Sequence, residues 1–238
     1  MVKGKKTGAG PKKAIVLLSG GLDSSTAAAV AKKQGYELYG LTVSYGQRHI
    51  KEVAAARAVG KVLGLKDHFF SEIVLGKKGS ALLDKGSMVP LDRKDGEIRS
   101  GKIPSTYVPA RNLILLSLAA YWAEVVGAEA IFTGFNIIDY SGYPDCSKEF
   151  VEQFVRTLAI GTKTGREGKA PKIIAPLLGL DKSQIIRLGT RLKVPYKLTW
   201  SCYKGGKKAC GRCDSCRLRL KGFKEVGLVD PIVYQDKL

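Results

Sequence analysis

Apolar positions along the chain alternate between unbroken runs and helical spacings. Residues 14–18 are an apolar run that stops at Ser19-Gly20-Gly21-Leu22-Asp23-Ser24, and a small-residue stretch follows over 25–33. An unbroken run closed by glycines predicts a strand covered on both faces, then a turn, then a helix. Residues 37–44 predict a second parallel strand. Residues 52–63 predict a helix with Val59, Val62 and Leu63 on one face, and 67–74 a third strand. The stretch 75–105 holds five glycines, two prolines and many charges. A connection of that length is a lid or a disordered excursion. The helix predicted at 113–126 is apolar nearly all round and is expected to be buried. A fourth strand is predicted at 129–134, a helix at 147–158, a flexible basic loop at 161–171 and a short strand at 172–177. Asp181 opens a last helix, with Gln184 at capping-box spacing and Ile185, Leu188 and Leu192 on its inner face. No internal repeat is present.

Strands alternating with helices imply right-handed crossovers and an α/β fold with a doubly wound, mostly parallel sheet. Ligands of such sheets sit at the carboxyl ends of the strands, where the strand order reverses. Ser19–Ser24 and the segment 45–49 both follow strands, so both are expected to line one crevice. The first helical turn leaves amide N–H groups that Asp23, Ser24 or Ser25 can cap only in part. With two glycines admitting a close ligand, this turn is a candidate anion cradle, although an ordinary strand-to-helix turn looks the same locally. The loop has no closing lysine of the Walker A kind and no G-x-G-x-x-G.

Cys202, Cys210, Cys213 and Cys216 change the picture at the other end. Four thiols within fifteen residues match an all-cysteine zinc site, closed and therefore structural. An iron–sulfur cluster of the ferredoxin kind is the competing reading, but no fourth cysteine followed by proline stands at its spacing after Cys216. Cys146 stands apart. Clustered cysteines with no secretory signal and no run of about 20 apolar residues point to a reducing cytoplasm and no membrane span. The 238 residues divide into a flexible basic tail over 1–12, a nucleotide-binding domain over 13–198, the cysteine knot with its closing helix over 199–227, and a tail over 228–238. Forty Lys and Arg against 21 Asp and Glu give a net charge of +19. This suggests RNA, but the lysines are spread along the chain without the interleaved aromatic residues that single-strand binders use.

The segment Ser19–Ser24 resembles the SGGxDS loop of the PP-loop ATP pyrophosphatases, which split ATP between its α- and β-phosphates. With Tyr45-Gly46-Gln47-Arg48-His49 and Glu52, Val108 to Asn112, Asp139 to Cys146 and the four clustered cysteines, the chain is similar to the 7-cyano-7-deazaguanine synthase family from Lys13 to about Gly227. That resemblance implies 7-carboxy-7-deazaguanine, ammonia and ATP as substrates, Mg²⁺ with the ATP, one structural zinc and a homodimer, with no stable nucleic-acid complex. It implies a nucleotide site over Leu18, Ser19, Gly20, Gly21, Leu22, Asp23, Ser24, Ser25, Thr26, Ala27 and Ala28. Asp23 can also help hold Mg²⁺, Arg111 can neutralise phosphate or carboxylate, and Lys182 can reach developing charge. Tyr45, Gln47, His49, Arg111, Asn112, Asp139, Tyr143 and Asp145 are candidates for the substrate, with Asp139 and Asp145 facing the ring or ammonia, or serving only as turn residues. Two rivals remain: a PP-loop enzyme that thiolates tRNA, and a non-catalytic zinc-knot module.

These motifs point to a free base and not to a polynucleotide. RNA binding at physiological salt should therefore be weak and sequence-blind, measured by filter binding against salt; a submicromolar complex with one tRNA would promote the thiolation reading.

Overall fold

The computed structural model describes residues 10–46, 51–76, 79–84, 86–98, 100–138 and 142–235. In chain order these form β1 (Lys13–Leu17), α1 (Leu22–Lys33), β2 (Glu37–Ser44), α2 (Lys51–Leu63), β3 (Asp67–Glu72), α3 (Asp95–Ile98), α4 (Arg111–Val126), β4 (Ala130–Phe132), α5 (Lys148–Gly161), α6 (Lys163–Arg166), β5 (Lys172–Ile174), α7 (Lys182–Arg191) and α8 (Asp214–Glu225). The five strands pair in parallel in the order β3-β2-β1-β4-β5, the doubly wound sheet expected from the alternation of elements.

The pleat explains the apolar run. Ala14, Val16 and Leu18 face a core completed by α1, α2, α7 and α8, while Ile15 and Leu17 face a second core under α4 and α5. Both faces are covered, so neither set of positions tolerates water.

Several expectations are corrected. α1 begins at Leu22 and not at Ser25, so Asp23, Ser24 and Ser25 lie inside its first turn. Val62 is exposed, whereas Val59 and Leu63 are buried. α4 is not buried all round: Leu116, Ala119, Ala120 and Ala123 are inside, but Leu113, Tyr121 and Val125 are exposed on one face, with Ser117 between the first two. Residues 161–171 hold α6, capped by Thr162 Oγ1 accepting from Gly165 N–H at 3.0 Å. The described part of 75–105 is a packed strap and not a structureless loop. It buries Ala81, Leu82, Leu83 and Val89, and Leu91 forms an antiparallel bridge with Cys213. Asp92 N–H donates to the Arg212 carbonyl, and Asp92, Arg93 and Asp95 pair with Arg212, Asp214 and Lys221.

Arg219 closes the carboxyl-terminal region. Its side chain is 1% exposed, bidentate to Asp230 at 2.7 and 2.9 Å, and donates to Thr199 Oγ1 and to the Tyr196 carbonyl. Tyr234 adds a hydrogen bond to the same carboxylate, and Ala209 pairs with the chain at 233–235. The described residues beyond 227 are thus docked on the cysteine knot. Breaking one partner of such a pair strands a buried charge at a cost of about 3–5 kcal/mol.

His68 packs against Gly40 and Gly60, with Nε2 2.8 Å from Thr42 Oγ1. The Thr42 hydroxyl donates to the Leu18 carbonyl, so it accepts from the ring. Burial, aided by Arg57, lowers the His68 pKa from 6.5 to about 4. The unfolded chain therefore takes up this proton first, and the stabilisation is complete above pH 6.5 and is lost as pH falls toward 4. The melting temperature should drop across that window, and His68→Gln should flatten the drop; an unaltered profile would show that another group controls it.

Candidate active site

The order reversal between β1 and β4 opens a cavity of about 250 Å³ at the carboxyl ends of the strands. Its floor is the turn from β1 into α1. Gly20 takes φ +81°, and a Cβ there would lie 2.5 Å from Ala56 N and from the Glu52 carbonyl, so the turn seats directly on α2. Gly134, just past β4, is equally tight: its Cβ would meet Ser24 N at 2.7 Å. No side chain caps α1. Ser24 and Ser25 hydroxyls donate back to the Gly21 carbonyl at 3.2 and 2.7 Å, leaving the amides of the first turn for an anion favoured by the helix dipole.

Leu18, Ser19, Gly21, Leu22, Asp23 and Ser24 line the cavity. Gly20, Ser25, Thr26, Ala27 and Ala28 do not. They hold α1 in place: Ser25, Thr26, Ala27 and Ala28 are fully buried, and Thr26 Oγ1 is 3.0 Å from the Tyr196 hydroxyl. Lys182 stands behind the floor. It is buried, and its Nζ donates to both Asp23 oxygens at 2.7 and 2.8 Å. The carboxylate and ammonium expected as two separate site groups are one ion pair here, stapling α7 to α1.

Opposite the floor, Tyr45, Arg111, Asn112 and Tyr143 line the cavity. Ala110 precedes α4 in left-handed geometry (φ 53°), and this turns Arg111 inward. The Arg111 guanidinium hydrogen-bonds to Tyr45. Burial alone would lower its pKa, but Tyr45, Tyr143 and Cys146 push it further up, so it stays charged. Asp145 is not among the lining residues. It is buried behind them, and its Oδ2 accepts from Asn112 N–H at 2.9 Å, which orders the start of α4. Gln47, His49 and Asp139 lie outside the described residues.

Sequence reasoning missed part of the wall. Glu52 on α2 faces the cavity, and burial pushes its pKa up to about 7 against the pull of Arg111. Phe135 and Asn136 follow β4, and Trp200, Ser201, Tyr203 and Ser215 come from the cysteine-knot region. The ring-rich signal around Trp200 and Tyr203 was in the sequence, but nothing local tied it to residue 20; the tie is Trp200 N–H donating to the Gly20 carbonyl at 2.9 Å. Cys146 also lines the cavity, and burial pushes its thiol up to about 12, so it is protonated at neutral pH.

Cys202, Cys210, Cys213 and Cys216 are all buried, with their sulfurs within 4.8 Å of one another. A tetrahedron with metal–sulfur bonds of about 2.3 Å has edges of about 3.8 Å, so the four thiols fit a metal ion with little adjustment. Cys210 N–H and Cys213 N–H donate to Sγ atoms of the set at 3.3 Å, as thiolates require. Cys213 and Cys216 hydrogen-bond to Cys202 and hold it well below the thiol range, and that bond pushes Cys213 up to about 12. A cation in the centre relieves this competition among thiols for one negative charge.

The family described as "Queuosine biosynthesis protein QueC" matches residues 13–227. A relative from Acetivibrio thermocellus, named 7-cyano-7-deazaguanine synthase, is 53% identical over 226 residues, covering 95% of this chain and 99% of the relative. Relatives of the same name from Desulfitobacterium hafniense and an Anaeromyxobacter species are 53% identical over 224 residues and 51% identical over 228 residues. They cover 94% and 95% of this chain, and 93% and 97% of their own lengths.

The four thiols should hold one metal ion per chain by elemental analysis. Cys213→Ala should lower the melting temperature, with any loss of turnover following from it. Iron with acid-labile sulfide, or a mutant of unchanged stability, would contradict the closed structural site.

Proposed function

The chain belongs to the QueC family of queuosine biosynthesis proteins, and we propose from that premise that its cavity makes the nitrile 7-cyano-7-deazaguanine from 7-carboxy-7-deazaguanine, ammonia and ATP. The observation that supports this most directly is the cavity itself, with uncapped amides and a carboxylate on its floor, a buried guanidinium opposite, and an aromatic wall between. Amides and guanidinium suit a triphosphate and a carboxylate, and the rings of Tyr45, Phe135, Tyr143, Trp200 and Tyr203 suit flat heterocycles.

The chemistry needs activation. A carboxylate is a poor electrophile with a poor leaving group. Its oxygen attacks the α-phosphate of ATP, pyrophosphate leaves, and the acyl adenylate accepts ammonia to give the amide and AMP. A second adenylation, on the amide oxygen, permits elimination of AMP to the nitrile. The protein's part is to align the reactants and to stabilise charge on the α-phosphate. In this reading the first-turn amides of α1 receive the pyrophosphate, and Arg111 holds the substrate carboxylate toward it. Mg²⁺, when bound with ATP, supplies further neutralisation of phosphate charge. Asp23 is the lining carboxylate beside the amides and is suited to hold it, since this ion takes one or two carboxylates together with phosphate oxygens. Lys182, now spent on Asp23, is the cation closest to hand when that carboxylate is shared.

We take the cysteine-held metal to be zinc, with a structural role, because all four positions are filled by protein. The protonated Cys146 weighs against the thiolating alternative, which needs a reactive sulfur in the cavity. The exposed stripe of Leu113, Tyr121 and Val125 supports a homodimer. Among the described residues no helix is long and apolar enough to cross a membrane.

With oxygen-18 in the substrate carboxylate, the label should appear in AMP, and about two AMP should form per nitrile by mass analysis. Label in inorganic phosphate together with ADP would place the attack on the γ-phosphate and refute the reading of the floor.

A further inference from the structure

Three carboxylates lie in or behind the cavity wall, and two already accept hydrogen bonds, Asp145 through Oδ2 alone. Asp23 receives both of its hydrogen bonds from Lys182 Nζ. Asp145 is turned to the Asn112 amide and is outside the lining. Glu52 differs: it lines the cavity, and among the described residues it makes no hydrogen bond and no ion pair, feeling Arg111 only through space. Its position is fixed, because it sits in the first turn of α2 with its carbonyl against Gly20, where a Cβ would come to 2.5 Å. Tyr45, Tyr143, Trp200 and Tyr203 line the same cavity.

In its ionised form a carboxylate accepts hydrogen bonds through two oxygens and donates none, and two N–H donors brought against it favour that form. Held rigidly and unpaired in a cavity, it selects a ligand edge that carries two parallel N–H donors and rejects an edge where an acceptor faces it. The 2-amino-6-oxo ring of a 7-deazaguanine has such an edge in its N1–H and 2-amino groups. The adenine of ATP does not, since its 6-amino group stands beside the N1 acceptor. We propose that Glu52 is the specificity-determining residue that reads the N1–H and 2-amino edge of the substrate base, and that Arg111, the cation of the lining, takes its anionic end. The assignment rests on the nitrile-forming reading above and adds to it how the base is chosen and oriented. One anion and one cation facing a molecule with a donor edge and a carboxylate leave a single favourable orientation.

The test compares 7-carboxy-7-deazaguanine with the analogue that lacks the 2-amino group. Wild-type protein should favour the parent by about a hundredfold in kcat/KM, in line with what a buried acceptor left unpaired imposes. Glu52→Gln replaces one acceptor oxygen with a donor. It should raise the KM for the parent, collapse the preference to within a few fold, and leave the KM for ATP and the melting temperature in place. A variant that weakens both bases equally, or that raises the requirement for ATP or Mg²⁺ with the preference intact, overturns the assignment. Should Glu52→Gln fail to fold, equilibrium dialysis of both bases against wild-type protein without ATP decides the matter: equal binding overturns the assignment, and a large difference in favour of the parent supports it. Absence of nitrile from the wild-type protein with the parent base overturns instead the functional reading on which the assignment rests.

Discussion

The reversal of strand order between β1 and β4 is the constraint on which the site depends. Crossovers leave β1 toward one face and β4 toward the other, so their following segments diverge and cannot fill the space between them. The chain then has to bring β4's exit back against α1 without blocking its amides. Gly134 does this, passing so close to Ser24 that no side chain fits. Gly20 does the same on the α2 side. Two missing methyl groups thus keep the helix end open and its walls near.

Around that opening the structure assembles parts that are remote in sequence. The cysteine knot supplies no group to the floor, yet it carries Tyr203 and Ser215 beside two of its four sulfurs and so fixes one wall. The strap from 75 to 105 crosses the same knot through the Leu91–Cys213 bridge and a row of ion pairs. Of these, the exposed Asp92–Arg212 and Asp95–Lys221 pairs are worth about 0–1 kcal/mol each. The backbone bridge and the buried Val89 therefore set the strap's position, and the charges set its register. Arg219 and Asp230 work at the opposite extreme, fully desolvated and saturated with hydrogen bonds, where removal of either partner is costly.

Much of this was legible in the sequence because it rests on local chemistry. Alternation of elements predicts the sheet, the capping box at Asp181 is formed by both of its bonds, and four spaced cysteines converge as expected. The misreadings share a cause. Leu22, Asp23 and Ser24 read as loop because helix entry is set by Gly21 and by packing against β4, not by a capping side chain. Leu113, Tyr121 and Val125 read as core because pattern counts apolar residues without knowing which stripe finds a partner. The strap read as open chain because Val89 and Leu91 pack on a segment over a hundred positions away. Glu52 carried the resemblance but no site role, and Lys182 was expected to reach developing charge on its own, until the fold set Glu52 in the cavity wall and Lys182 on Asp23.

The bond from Trp200 N–H to the Gly20 carbonyl, with Lys182 on Asp23 and Tyr196 on Thr26, has a consequence for how the molecule comes into being. The floor of the cavity is made from β1 and α1, but two of its seals lie 159 and 170 residues downstream and are translated later. At roughly 5–20 residues per second, the nascent chain spends many seconds with β1 to β3 able to pair and the α1 end without its staples. Such contacts of long sequence separation close late and slowly. The cavity is therefore completed only after its distant seals have been made, and a ribosome stalled before them displays a sheet but no finished cavity.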